Sequence, residues 1–226
     1  FALALAGVIA YSNTLTAPFQ FDDLGYIINN QWIRSLPNFT DTSGTRYMGF
    51  LSFALNYAFC GLDAQCYHAT NVAIHLLNSA ILYFIVHYTF SMSPKQTLGD
   101  AKGPFLNAPF MAALVFLLHP VQTQAVTYVS QRFASLATFF YLLSLLLYVV
   151  YRTRQRGSGE KTRKGTYIFY ALSLASAVAA QKTKEISFTI PLIITLYEFT
   201  FLNNTEKAGK RFRNLVPFYL TLIIIP

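Results

Sequence analysis

Charge is scarce in this chain. Asp, Glu, Lys and Arg make up 12% of its 226 residues and hydrophobic residues 54%, whereas ordinary soluble domains carry about 25% charged residues. That ratio excludes an ordinary soluble fold and points to an all-α polytopic membrane protein. Cysteine is nearly absent. Cys60 and Cys66 are the only pair, which excludes a disulfide-dense scaffold and offers no Cys/His spacing for a zinc site. The two can bridge each other if their segment lies outside the cytoplasm. No internal repeat is visible. Phe1 to Tyr11 lacks the basic start and small-residue cleavage site of a secretory signal, so it reads as a truncated first span. With apolar runs at both ends, the chain reads as part of something longer.

What charge there is carries one dominant sign. The net charge is +8, from 17 basic and nine acidic residues. Basic residues gather at Arg152, Arg154, Arg156, Lys161, Arg163 and Lys164, and again at Lys207, Lys210, Arg211 and Arg213. Short basic loops between apolar runs are a positive-inside signature, and they are too short to be nucleic-acid-binding modules. Nucleic acid is therefore excluded as a partner. With about 20 apolar residues needed per crossing, the pattern predicts seven spans at roughly 1–14, 67–90, 107–119, 129–151, 166–180, 186–202 and 215–226. Placing the basic loops in the cytoplasm puts 91–106, with Lys95, Asp100 and Lys102, on the same side. It puts 15–66, 120–128 and 181–185 on the other. The long first outer loop, 15–66, is punctuated by Pro18, Pro37, Gly44 and Gly61, so short helices are expected there. Tyr47 to Phe59 is apolar but short for a span, as an interfacial helix would be.

The suspicious polar residues fall on that outer side. Asp22 and Asp23 are adjacent, repel each other and stand beside a low-dielectric surface. One can serve as a general base while the other orients it or holds substrate; an N-cap before Leu24 is the plainer use of the pair. Arg46 belongs to the same loop. His68, Asn71, His75 and Asn78 share one face of the second span, where polar side chains also serve to join helices. His119 ends the third span before Pro120. Arg132 opens the fourth, and a guanidinium there faces the bundle, snorkels, or binds phosphate. Lys182, Lys184 and Glu185 form the third outer tip. Together they predict an acidic site beside a cationic site, suited to a lipid-phosphate-linked substrate.

A set of short motifs carries a resemblance. Phe21-Asp22-Asp23 with Ile28-Asn29-Asn30, Tyr67-His68-Ala69-Thr70-Asn71 with His75, His119-Pro120 with Ala125-Val126, Gln131-Arg132-Phe133-Ala134-Ser135-Leu136-Ala137, and Lys184-Glu185 before Pro191 occur in this order. The order resembles the membrane portion of bacterial tetratricopeptide-repeat membrane proteins. It is similar also to the eukaryotic transmembrane-and-TPR O-mannosyltransferases and, more distantly, to the protein O-mannosyltransferases. The resemblance covers nearly all of the chain. It implies a GT-C-like helical bundle over 1–226, with further spans and a TPR domain beyond it. It implies a polyprenyl-phosphate-linked sugar as donor and a hydroxyl acceptor, usually Ser or Thr, on a secreted or membrane protein.

By the same resemblance Asp22, matching the first acid of the family motif, is the base, with Asp23 beside it. Arg132 and Lys184 are donor-phosphate ligands and Glu185 orients them. Arg46, His68, Asn71, His75 and His119 complete the candidate substrate-binding set. Family members often carry an acid near Gln124, and the glutamine here removes an acid/base role. The set names no metal ligand, while a divalent metal stays open as a cofactor. The implied location is the bacterial inner membrane with the site facing the periplasm, with room for a larger membrane complex. Two rival readings remain. One is a non-catalytic scaffold that anchors TPR repeats. The other is a transporter, disfavoured because the charges lie at one surface and not at the midplane.

Overall fold

The computed structural model describes residues 1–92, 107–157, 160–202 and 208–224. The loop with Lys95, Asp100 and Lys102, and also Lys207, lie outside the described residues. Among those described there are helices and connecting turns and no strand. The α-helices are α1 (Ala2–Tyr11), α2 (Tyr47–Cys60), α3 (Ala64–Ser91), α4 (Ala108–Leu118), α5 (Thr123–Thr127), α6 (Arg132–Gly157), α7 (Glu160–Gln181), α8 (Ile190–Thr200) and α9 (Ala208–Leu220).

A helix stands at each position where a span was expected, and the helices of the described residues do not by themselves establish seven crossings. Two are long and apolar enough to cross a membrane, Ala64–Ser91 and Val129–Gln155. A third crossing is reached if Ala108–Leu118 and Pro120–Thr127, bent by 49°, count as one. Ala2–Thr16 and Tyr167–Gln181 are apolar but shorter. The bend has a cause: Pro120 supplies no N–H, and His119 is extended at φ −63°, ψ 129°.

Local chemistry sets the ends. Asp63 caps α3 by accepting from Gln65 N–H at 3.0 Å, and Asn107 caps α4 by accepting from Phe110 N–H at 2.8 Å. Gly61 reverses the chain between α2 and α3 at φ +60°, where a side chain is disfavoured. Cys60 and Cys66 form a disulfide across this corner.

Helices α3 and α6 run side by side in the same direction. Tyr67 and Arg132 meet at one end, and Met92 and Thr153 at the other. Helix α7 returns along α6 on a seam of small residues. Ser144 and Ser173 each donate to the other's carbonyl, at 2.9 and 2.7 Å, and Ala177 and Ala180 are fully buried. The ends of α3, α6 and α7 thus carry 15–66, 119–131 and 181–189 to one end of the bundle. There Ile27, Ile33, Phe39, Phe53, Val129 and Phe133 form an apolar cluster of their own. Helix α2 comes so close to α6 that a Cβ on Gly49 would run into the Phe133 ring.

Polar residues inside the bundle join helices. Leu117 O, at the end of α4, has lost its helical partner. It accepts from Tyr11 O–H at 2.9 Å and from His75 Nε2–H at 3.1 Å. Asn78 donates to Ser135 O at 3.0 Å. At the opposite end, buried Glu198 of α8 accepts from Arg152 at 2.8 and 3.0 Å, from Arg211 at 3.0 Å and from Tyr148 at 3.0 Å. Arg152 and Arg211 are therefore not loose loop charges, as the basic runs suggested. They close α6, α8 and α9 on one carboxylate.

Candidate functional site

The aspartate pair is pinned from the α5–α6 junction. Asp23 is buried. Its Oδ1 accepts from Ser130 N–H at 2.7 Å and its Oδ2 from Gln20 N–H at 3.1 Å. Both oxygens are thereby committed to backbone donors. Asp22 is exposed, and no described residue donates to its carboxylate. Its backbone N–H donates to Tyr128 Oη at 2.9 Å. The preceding residue, Phe21, sits in the left-handed region at φ 46° with its ring exposed against Tyr128. A non-glycine residue there is strained and is held by its surroundings. Neither aspartate caps by its side chain the π-helical turn at Leu24–Ile28, so the cap reading does not describe the pair.

A cleft of about 380 Å³ opens beside Asp23, and Asp22 is not among its lining residues. Ala17, Pro18, Gln20, Phe21 and Asp23 of the first loop line it together with Gln124, Thr127 and Tyr128. Its size suits a small polar ligand. Gln124, read from the sequence only as a missing acid, lines it.

Arg132 is fully buried. Its Nε donates to Asn71 Oδ1 at 2.7 Å, its Nη2 to Tyr67 O at 2.8 Å, and its Nη1 to Asn56 Oδ1 and, at 3.4 Å, to Ser52 O. The guanidinium lies 4.7 Å over Phe53 and 5.5 Å over Tyr67. No carboxylate among the described residues pairs with it. This is not the open guanidinium expected for a donor phosphate. It is a hub that ties α2, α3 and α6 together. Asn71 extends the hub by donating to Val126 O and Val129 O, both at 3.3 Å. Asn56 donates to Thr70 Oγ1 at 2.9 Å and Cys66 Sγ at 3.3 Å.

The other expected residues divide. His68 Nε2–H donates to Ala17 O at 3.0 Å, which anchors the start of the first loop. His75 is interhelical. His119 is exposed, and its Nδ1 accepts from Val121 N–H at 3.2 Å, capping the turn after α4. Arg46 and Glu185 do meet, at 3.5 Å, and the Arg46 guanidinium lies 5.5 Å over Phe133. Beside them Met48 N–H donates to Lys182 O at 3.1 Å, so the first loop and the α7–α8 turn are tied twice. The Glu185 carboxyl is held below its ordinary range, first by its own backbone N–H; partial burial opposes this, and the charges of Arg46 and Lys184 add to the lowering. Lys184 is half-buried beside it. Among the described residues no three of His, Cys, Asp and Glu stand together as metal ligands would.

Three contributors were not singled out from the sequence. Asn56 is the lone amide in an apolar helix, and Glu198 is an acid inside an apolar run; both are signals of a buried polar partner. Tyr128 has no such signal.

The helices and this cluster define a helical membrane protein with an acidic, cleft-bordering site at one end of its bundle. Over 227 residues the chain is 26% identical to Protein O-mannosyl-transferase TMTC1 of Homo sapiens, covering 92% of this chain and 24% of that protein. Over 159 residues it is 33% identical to Protein O-mannosyl-transferase TMTC2 of Mus musculus, covering 63% of this chain and 18% of that protein. Protein O-mannosyl-transferase F38B6.6 of Caenorhabditis elegans is 27% identical over 161 residues. The chain spans less than a quarter of the length of these relatives. They are animal proteins, and the bacterial part of the resemblance is not borne out by them. No protein-family profile and no solved structure matches the chain.

Proposed function

We propose that this chain is the membrane portion of a glycosyltransferase that moves a sugar from a polyprenyl-phosphate carrier to a Ser or Thr hydroxyl of a protein. The observation that carries the proposal is the division of the aspartate pair. Asp23 lines the cleft and is committed to backbone donors, while its neighbour Asp22, between the lining residues Phe21 and Asp23 in sequence, presents an exposed carboxylate that no described residue holds. The relatives' names support a glycosyltransferase that acts on proteins. The bundle fits a GT-C-like domain, with further spans and TPR repeats outside the chain.

In the proposed step Asp22 takes the proton of the acceptor hydroxyl. That oxygen bonds to the anomeric carbon as the bond from that carbon to the phosphate oxygen breaks. The polyprenyl phosphate leaves with the electron pair, and the sugar inverts. Lys184 and Arg46, both partly exposed at this end and the latter paired with Glu185, are the cations we assign to the departing phosphate. Arg132 serves from inside by holding Asn71 and the α5–α6 junction. The Cys60–Cys66 disulfide favours the non-cytoplasmic side for this end, where such bonds persist.

The test is transfer by the full-length protein in lipid nanodiscs, supplied with polyprenyl-phosphate mannose and a Ser/Thr-rich acceptor protein. Mass spectrometry is expected to find hexose on the acceptor. An acceptor of unchanged mass, with donor intact and the protein folded, sinks the proposal in favour of a scaffold.

A further inference from the structure

We infer that Tyr128 is a positioning residue for Asp22, fixing through the backbone the direction in which the open carboxylate points. The inference rests on the reading of Asp22 as the base. The Asp22 N–H has no backbone acceptor among the described residues; the Tyr128 phenol is its partner, at 2.9 Å across 106 positions of sequence. That N–H belongs to the peptide that follows Phe21. Phe21 is the residue held at φ 46°. A phenylalanine has lower-energy backbone states at negative φ, and relaxing to one would swing this peptide and re-aim Asp22. Within the turn the Asp23 carboxylate accepts from Gln20 N–H at 3.1 Å and Leu24 N–H donates to Phe21 O at 3.1 Å; across to the α5–α6 junction, Asp23 accepts from Ser130 N–H at 2.7 Å, and the phenol is the partner of the Asp22 N–H itself.

Tyr128 is itself rigidly placed. It stands between Val126 and Val129, both fully buried. Their carbonyls are held by Asn71, and Asn71 is held by Arg132. A continuous line therefore runs from the buried guanidinium through Asn71 and the α5–α6 junction to the phenol, and from there to the Asp22 peptide. The ring of Tyr128 also meets the Phe21 ring edge-on, with centroids 6.2 Å apart. The hydroxyl and the ring grip the strained residue and its successor together.

Tyr128→Phe keeps the ring and removes the hydroxyl. In the full-length protein it is expected to lower kcat about tenfold while leaving KM for the lipid-linked donor unchanged, as lost alignment of a base does. Combined with Asp22→Glu, which displaces the carboxylate by one methylene, the two losses are expected not to multiply. A raised KM at unchanged kcat, or losses that multiply, overturns the inference. Amide exchange gives an arm that needs no activity. The peptide over 20–24 is expected to exchange several-fold faster in Tyr128→Phe, with the unfolding temperature held, and unaltered exchange overturns the inference. If the wild type transfers no sugar, the functional reading fails, and exchange alone decides whether Tyr128 holds Asp22.

Discussion

Asp23 gives both carboxylate oxygens to backbone N–H groups, and Asp22 gives neither to any described residue. Adjacency was plain in the sequence, and the division of labour was not. It depends on Ser130, 107 positions away, whose N–H is free only because the chain turns there before α6. Arg132 shows the same limit. An arginine at the start of an apolar helix has to face inward, snorkel or bind an anion, and spacing does not choose among these. The choice was made by Asn56 and Asn71, two amides on separate helices that converge on it. Arg132→Met is expected to leave Asn71 Oδ1 and Asn56 Oδ1 buried without the donor they have now, at about 1–3 kcal/mol each. Thermal unfolding in detergent should show a large loss of stability. Arg132→Lys should not restore it, because an ammonium lacks the planar fork. An unfolding temperature within a degree or two of wild type in Arg132→Met contradicts the hub assignment.

Helix positions were legible because apolar runs are long and their interruptions are Pro, Gly and charge. The short helices of the first loop and the helix over 47–60 also stand where they were expected. Crossing number was not legible, since hydropathy does not say whether short apolar helices such as Ala2–Thr16 and Tyr167–Gln181, or the pair bent by 49° at Pro120, cross. Contacts between elements were harder still. The start of α2 is bound to the α7–α8 turn by Arg46–Glu185 and by Met48 N–H to Lys182 O. The Glu185 carboxyl is depressed in the folded protein. Its contribution is therefore present above the unfolded value of about 4.3 and is lost as pH falls through the lower folded value. Comparing Glu185→Gln with wild type by thermal unfolding should show a small wild-type advantage at neutral pH. The advantage should vanish once pH drops below the carboxylate range. A difference that is equal at all pH values, or that grows in acid, contradicts a Glu185 carboxylate stabilised in the folded state, first by its backbone N–H and then by Arg46.

At the scale of the molecule, the bundle delivers three loops from separate parts of the chain to one end. Charge bias alone placed 15–66, 120–128 and 181–185 on a common side, and the hydrogen bonds from Asp22 to Tyr128 and from Met48 to Lys182 join them there. The opposite end is closed by Arg152, Glu198 and Arg211. Two of the basic residues that marked that side therefore also hold α6, α8 and α9 together. Relatives named protein O-mannosyl-transferases align along most of the chain. The central claim is that Asp22 reacts and Asp23 supports. It is tested most directly by measuring sugar transfer and unfolding temperature together for Asp22→Asn and Asp23→Asn in the full-length protein. The account predicts that Asp22→Asn loses transfer by about 100-fold or more with its unfolding temperature unchanged, and that Asp23→Asn unfolds at a clearly lower temperature. Full transfer by Asp22→Asn, or complete loss of transfer in an Asp23→Asn protein as stable as wild type, would contradict it.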